Sequence, residues 1–292
     1  MSRLIIRHET RYAFERPVAF GPHELLVRPR GGHALRVVKG ALTFSPRGET
    51  RWRYDAHGNC VCQLNLSEES DEFFVLSELE IERFPAPLEP QEVDDPHTAT
   101  PIVYPPSDRA VLGPYIEPAT LDPEGLLLRW LHGVAPAVGE PAIEYVLRLN
   151  RAIHQHFDYQ ARHEEGVQAP HETVAMGQGT CRDFAWLMVE TLRRLGFATR
   201  FVSGYLYSPG LESVRGAGAT HAWCEVFLPA FGWMDFDPTN GLAEAADLIP
   251  VAVSRTPAEA APISGSILGD PGQSQMVVKV DVTLASPSAS AT

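Results

Sequence analysis

The feature that most constrains this chain is a change of hydrophobic period, made across a crowd of prolines. From Leu4 to about Phe84 the apolar residues come in short, regularly spaced runs: Leu4-Ile5-Ile6, Leu25-Leu26-Val27, Leu35-Arg36-Val37-Val38, Ala41-Leu42-Thr43-Phe44, Asn59 to Leu64 and Phe73 to Leu76. Turn-rich punctuation separates them at Pro29 to Gly32, Pro46-Arg47-Gly48 and Asp55 to Asn59. Runs of this kind predict antiparallel strands closed into a sandwich or barrel. Prolines then stand at 85, 87, 90, 96, 101, 105, 106, 114, 118 and 123, and periodicity disappears, as in a connector laid over a surface.

Helical spacing begins after Asp122, a candidate N-cap with Pro123 at the first helical position, and continues through Leu126, Leu127, Trp130 and Leu131. A second helix is expected from about Glu140 to Phe157. A third is expected from near Cys181, with Phe184, Leu187, Met188, Leu192 and Leu195 on its core face and Gly196 ending it. Strand patterns return at Ala198 to Tyr207, Thr220 to Leu228 and Trp233 to Phe236. The run from Met276 to Leu284 alternates and is expected to rejoin a sheet, that of the N-terminal region being the candidate.

The expected class is α+β: an N-terminal antiparallel β-sandwich-like domain over 1–86, a Pro-rich connector over 87–121 and a core of helices packed on an antiparallel sheet over 122–250. A C-terminal segment with a returning strand follows over 251–285, then a disordered tail over 286–292. The length of 292 residues fits two domains.

The turn Gly177-Gln178-Gly179-Thr180 gives way to helix at Cys181. A thiol at a helix N-terminus meets unpaired amides and the positive end of the helix dipole, which favour thiolate over thiol and also hold a developing oxyanion. A thiolate nucleophile needs an imidazole partner, and the imidazole an orienting acceptor. His221 stands on a strand and shares a face with Trp223, Glu225 and Phe227, whereas Cys224 points to the opposite face and reads as core. Asp235 and Asp237 share a face of the next strand, so parity does not choose between them. Asp237 precedes Pro238, which forces extended geometry and ends the strand, and this favours it modestly.

Four blocks in order, Gly179-Thr180-Cys181-Arg182-Asp183-Phe184-Ala185, Arg200 to Leu206, Thr220 to Phe227 and Gly232 to Gly241, resemble the bacterial transglutaminase-like proteins. The first domain resembles that family's N-terminal region through His8 to Tyr12, the Arg28-Pro29-Arg30 step and Asp55 to Asn59. The resemblance implies a papain-like Cys-His-Asp core, with Cys181 as nucleophile, His221 as general base and acid, and Asp237 rather than Asp235 as orienter. Thr180 stands where the family more often has valine, a departure without consequence for the chemistry. The Cys181 amide is the expected oxyanion donor, with Gln178 a second candidate and Trp223 a candidate lining residue.

The expected function is amide acyl transfer through a thioester, by a protease, amidase or transglutaminase-type enzyme that needs no metal or organic cofactor and takes a peptide, protein or other amide substrate. The alternatives are a catalytically silent interaction scaffold and a small-molecule acyltransferase with the same triad. Other sites fare worse. Cys60 and Cys62 beside His57 lack a second ligand pair of zinc-like spacing, His154 and His156 face different ways on a helix, and the Glu68 to Glu72 run lacks a calcium loop's glycine. A formal charge of −13 argues against a nucleic-acid partner. No apolar run reaches bilayer length, the first residues lack a secretory pattern and four cysteines make no disulfide framework, so a cytoplasmic protein without a membrane partner is expected. Oligomeric state is not readable.

Overall fold

The computed structural model describes residues 2–84, 99–161, 166–207, 215, 218–244 and 247–285. The first six strands are β1 (Ser2–Phe20), β2 (His23–Arg28), β3 (Leu35–Ser45), β4 (Gly48–Tyr54), β5 (Cys60–Leu66) and β6 (Ser70–Arg83). They form two antiparallel sheets, completed by strands from the far end of the chain: β14 (Ile263–Ser264), β15 (Ile267–Leu268) and β16 (Ser274–Leu284). One sheet runs β15-β1-β6-β3 with β16 also paired to β1, and the other runs β14-β2-β5-β4. Along β6 the side chains of Phe73, Val75, Ser77, Leu79 and Ile81 are buried in alternation, the period of a strand with one face on a core. Leu25, Val27, Cys62, Leu64, Phe73 and Val75 fill the space between the sheets.

The sandwich therefore does not end at residue 86. β16 pairs with β1 from Leu4↔Leu284 to Phe14↔Ser274, and β14 and β15 lengthen both sheets. Residues 85–98 of the Pro-rich stretch and the tail 286–292 lie outside the described residues. The rest of that stretch differs from the expected connector, for it carries α1 (Pro106–Ile116), which buries Leu112. Pro105 and Pro106 start this helix rather than prevent it, because a first-turn residue has no intrahelical use for its N–H.

The core continues with α2 (Leu126–Val134), α3 (Ala142–His156), β7 (Asp158–Tyr159), α4 (Pro170–Met176), β8 (Gln178–Gly179) and α5 (Cys181–Arg194). α2 begins later than Pro123, after Gly125 in the left-handed conformation. The Asp122 carboxylate still accepts the first-turn amides, from Leu127 at 3.2 Å and Leu128 at 2.9 Å. Five strands complete the core sheet in the order β12-β11-β10-β9-β13: β9 (Thr199–Leu206), β10 (His221–Leu228), β11 (Gly232–Asp237), β12 (Leu242–Ala243) and β13 (Leu248–Ser254). β13 crosses the expected boundary at residue 250. No helix among the described residues is long and apolar enough to cross a membrane.

Every residue of β9 is buried, because both faces of the core sheet are covered. One face receives α5, with Phe184 and Met188 in a cluster shared with Phe201, Cys224 and Phe236. The other lies on the sandwich, where Tyr205, Ile249 and Val251 meet Leu4, Ile6, Leu79, Ile81 and Val280. Several polar groups at this junction are paired across it. The Tyr205 hydroxyl donates to the Val27 carbonyl at 3.2 Å and meets His8 Nδ1 at 3.0 Å, while burial pushes His8 down to about 4 and so keeps it neutral. Asn59 mimics a strand partner, donating to Val253 O at 2.7 Å and accepting from Val253 N at 2.9 Å.

Candidate active site

The approach to α5 is built from backbone requirements. Gly177 ends α4 in the left-handed region, at φ 66°, which only glycine adopts without strain. β8 then pairs in parallel with β7, Gly179 lying opposite Tyr159. A Cβ on Gly179 would stand 2.8 Å from the Asp183 Cβ, so the turn closes only with glycine here. The buried Asp183 carboxylate accepts from Thr180 N at 2.7 Å, Thr180 Oγ1 at 2.9 Å and Gln168 N at 2.8 Å. These bonds fix the first turn of α5 and hence Cys181 at its start, where the Cys181 amide has no acceptor within the helix.

His221 is the first residue of β10 and Asp237 the last of β11. The pair Cys224↔Phe236 sets Asp237 opposite Trp223 and diagonal to His221, within side-chain reach. His221 Nε2 lies 2.8 Å from Asp237 Oδ2, and both residues are shut from solvent. Oδ1 of the same carboxylate accepts from Thr239 N at 2.9 Å, and Oδ2 accepts a second bond from Asn240 Nδ2 at 2.8 Å. His221 Nδ1 has no hydrogen-bond partner among the described residues. It is the nitrogen left to serve Cys181, whose thiol neighbours the ring and bears on its charge.

The electrostatics of the pair agree from both sides. Burial opposes charge on His221, but Asp237 and Cys181 outweigh it and push the imidazole up to about 10. Burial likewise favours a neutral Asp237, yet the imidazolium, Asn240 and the Thr239 amide hold its carboxyl below the usual range. Both shifts favour the charged forms, an imidazolium facing a carboxylate.

The other residues singled out from sequence are placed as follows. Asp235 accepts from the Trp223 indole N–H at 2.6 Å and takes no part in the His221 bond; burial and Glu225 push it up to about 8. Trp223 is fully buried and stacks beside His221 at 5.9 Å, so it supports the imidazole from behind and lines no open space. Gln178 is half-buried in β8, three residues ahead of Cys181. Cys224 lies in the helix-side core with its sulfur 3.5 Å from the Phe236 carbonyl. His57 Nδ1 is 2.7 Å from the Tyr115 hydroxyl, and His154 Nδ1 is 2.8 Å from Thr239 O. Among the described residues no group of three or more His, Cys, Asp or Glu is placed to hold a metal.

Sequence reasoning missed Asn240. Besides its bond to Asp237, its side chain accepts from Arg215 N at 3.1 Å and donates to Arg215 O at 3.3 Å. The available signal was the string Asp237-Pro238-Thr239-Asn240-Gly241, an aspartate-initiated turn whose later amides return to the carboxylate. Asn240→Ala is expected to lower kcat by about 10- to 100-fold with the fold intact, through misalignment of Asp237 and His221. Steady-state kinetics beside a denaturation curve check this, and a full-rate variant would show that Asn240 does not position the pair.

With this geometry in view, comparison with known proteins is specific. Residues 4–82 match the Bacterial transglutaminase-like N-terminal region and residues 133–238 the Transglutaminase-like superfamily. The chain carries both regions in the order of the bacterial transglutaminase-like proteins: the N-terminal match runs over the first six strands of the sandwich, and the core match spans Cys181, His221 and Asp237. An uncharacterised protein of Mycobacterium tuberculosis is 27% identical over 301 aligned positions, covering 96% of this chain and 92% of the relative. One of Mycobacterium leprae is 27% identical, covering 97% and 99%. Among solved structures, a candidate cysteine protease from Cytophaga hutchinsonii has the same fold, at a TM-score of 0.75 and 18% identity, covering 98% of this chain and 91% of that one.

Proposed function

We propose that this protein is a cysteine-dependent acyl-transfer enzyme acting on amide bonds of peptides or proteins, with Cys181 as nucleophile, His221 as general acid and base, and Asp237 as the group that orients His221. The observation that carries this is the buried 2.8 Å His221–Asp237 pair beside a cysteine on a helix N-terminus. The Cys181 sulfur attacks the amide carbonyl carbon and forms a C–S bond, while the carbonyl oxygen takes the negative charge and faces the Cys181 amide. His221 delivers its proton to the departing nitrogen as the C–N bond breaks, leaving a thioester and a free amine. Water then gives a proton to His221 and attacks the thioester, the C–S bond breaks, and a carboxylic acid leaves. An amine in place of water would complete a transamidation. Hydrolysis is the favoured outcome, since no feature of the site selects an amine over water.

The chemistry uses only side chains and backbone of this chain, so a metal-free, cofactor-free preparation is expected to turn over. Acid quenching during turnover of a peptide library, with and without added primary amine, followed by mass spectrometry, tests the reading. The expected result is an acyl adduct on Cys181 and carboxylate products. No adduct and no product from any library member counts against it.

A further inference from the structure

A cleft of about 370 Å³ opens against His221, between α5, the adjoining ends of β9 and β10, and the segment 256–262. Its size lies at the low end of the roughly 300–1,000 Å³ of small-molecule pockets, room for one or two side chains rather than for a cofactor. Trp186 and Phe201 supply apolar walls, and Ala222 and Ala261 stand where larger residues would fill the space. At its mouth is Arg182, the residue after Cys181; it is exposed and forms no ion pair among the described residues.

The outer wall is held in place from two sides. Leu26 of the sandwich donates to Pro262 O at 2.8 Å, and Arg193 of α5 donates to Arg255 O at 2.8 Å. The cleft is thus a fixed feature of the junction between core and sandwich.

We infer that this cleft is the specificity subsite for the acyl donor, receiving a large apolar or aromatic side chain of a peptide beside the scissile amide, while Arg182 binds an acidic residue next to it. The inference rests on the acyl-transfer reading for its place in the reaction, but the binding it claims is measurable without turnover. An apolar ring that enters the cleft exchanges water for Trp186 and Phe201, and its peptide bond is brought past His221 toward Cys181. A carboxylate at the rim meets a guanidinium whose planar fork suits it. The arrangement also assigns the sandwich a role, since its grip on Pro262 shapes the wall that selects substrate.

The test uses the full chain carrying Cys181→Ala, so that nothing is consumed, and dye-labelled short peptide amides read by fluorescence polarisation. Two peptides differ only in a central phenylalanine or glycine beside an aspartate, and a third replaces the aspartate of the phenylalanine peptide with lysine. The phenylalanine peptide is expected to bind about 10-fold or more tighter than the glycine peptide, and Ala261→Phe, which fills the cleft, to erase that difference. Arg182→Glu, an exposed change that leaves the core untouched, is expected to reverse the few-fold preference for aspartate over lysine. Equal affinities for phenylalanine and glycine would overturn the apolar subsite, and an unchanged aspartate preference in Arg182→Glu would overturn the acidic contact. Catalytic failure of the wild-type chain with normal peptide selectivity would instead remove the acyl-transfer reading and leave the cleft standing.

Discussion

Cys181→Ala is expected to remove amide turnover by on the order of 10⁴- to 10⁶-fold while leaving the protein folded. The loss is large because the covalent step has no substitute nucleophile at the site. Cys224 is sealed in the helix-side core, where burial first, and then Asp235, Asp237 and Glu225, push its thiol well above the ordinary range. Cys60 and Cys62 belong to the sandwich, and burial raises both, Cys62 to about 11. The fold is expected to survive because the first turn of α5 depends on Asp183, Thr180 and Gly179, none of which uses the sulfur. Product analysis by mass spectrometry, with a denaturant titration of both proteins, checks the two halves. Activity within about 10-fold of wild type would remove Cys181 as the nucleophile.

What the sequence made legible follows from where hydrophobic period is informative. β6 has one buried face marked by aliphatic residues, so its alternation reads plainly; β4 (Gly48–Tyr54) alternates Thr50, Trp52 and Tyr54 with Glu49, Arg51 and Arg53, but both of its faces are largely exposed and no aliphatic run marks it as a strand. α1 was passed over because prolines at its start mask a helix that buries only Leu112, and α4 is too short, at 7 residues, to show a period. β13, buried on both faces by α5's layer and the sandwich, reads as a short apolar run rather than an alternating one. In the site, strand parity put His221, Asp235 and Asp237 on shared faces and sent Cys224 to the core. It could not divide Asp235 from Asp237, since what divides them is the Trp223 indole claiming Asp235 and the Asn240 turn closing on Asp237. Those partners are set by tertiary packing, which the local pattern does not encode.

Asp237→Asn is expected to lower kcat by about 10⁴-fold and to move the alkaline limb of the pH–rate profile toward neutral. An amide left beside Nε2 can present its NH₂, stabilising the wrong tautomer, and brings no charge to sustain the imidazolium. In the wild-type chain burial disfavours protonated His221 and is overcome chiefly by Asp237, which lifts it from an ordinary 6.5 to about 10; without that charge burial prevails and the proton leaves at lower pH. The same linkage sets a stability signature. Because His221 is raised in the folded state, its contribution is complete below about pH 6.5 and is lost as pH climbs through about 10. Because Asp237 is lowered, its contribution is present above its ordinary 3.8 and fades as pH falls. The stability gap between wild type and Asp237→Asn is therefore expected to be widest between about pH 4 and 6.5 and to close by about pH 10. Urea titrations at pH 5.5, 8 and 10 measure it, beside kcat/KM profiles of both proteins. A gap independent of pH, or an alkaline limb that does not move, would show that Asp237 neither holds the charge of His221 nor orients it.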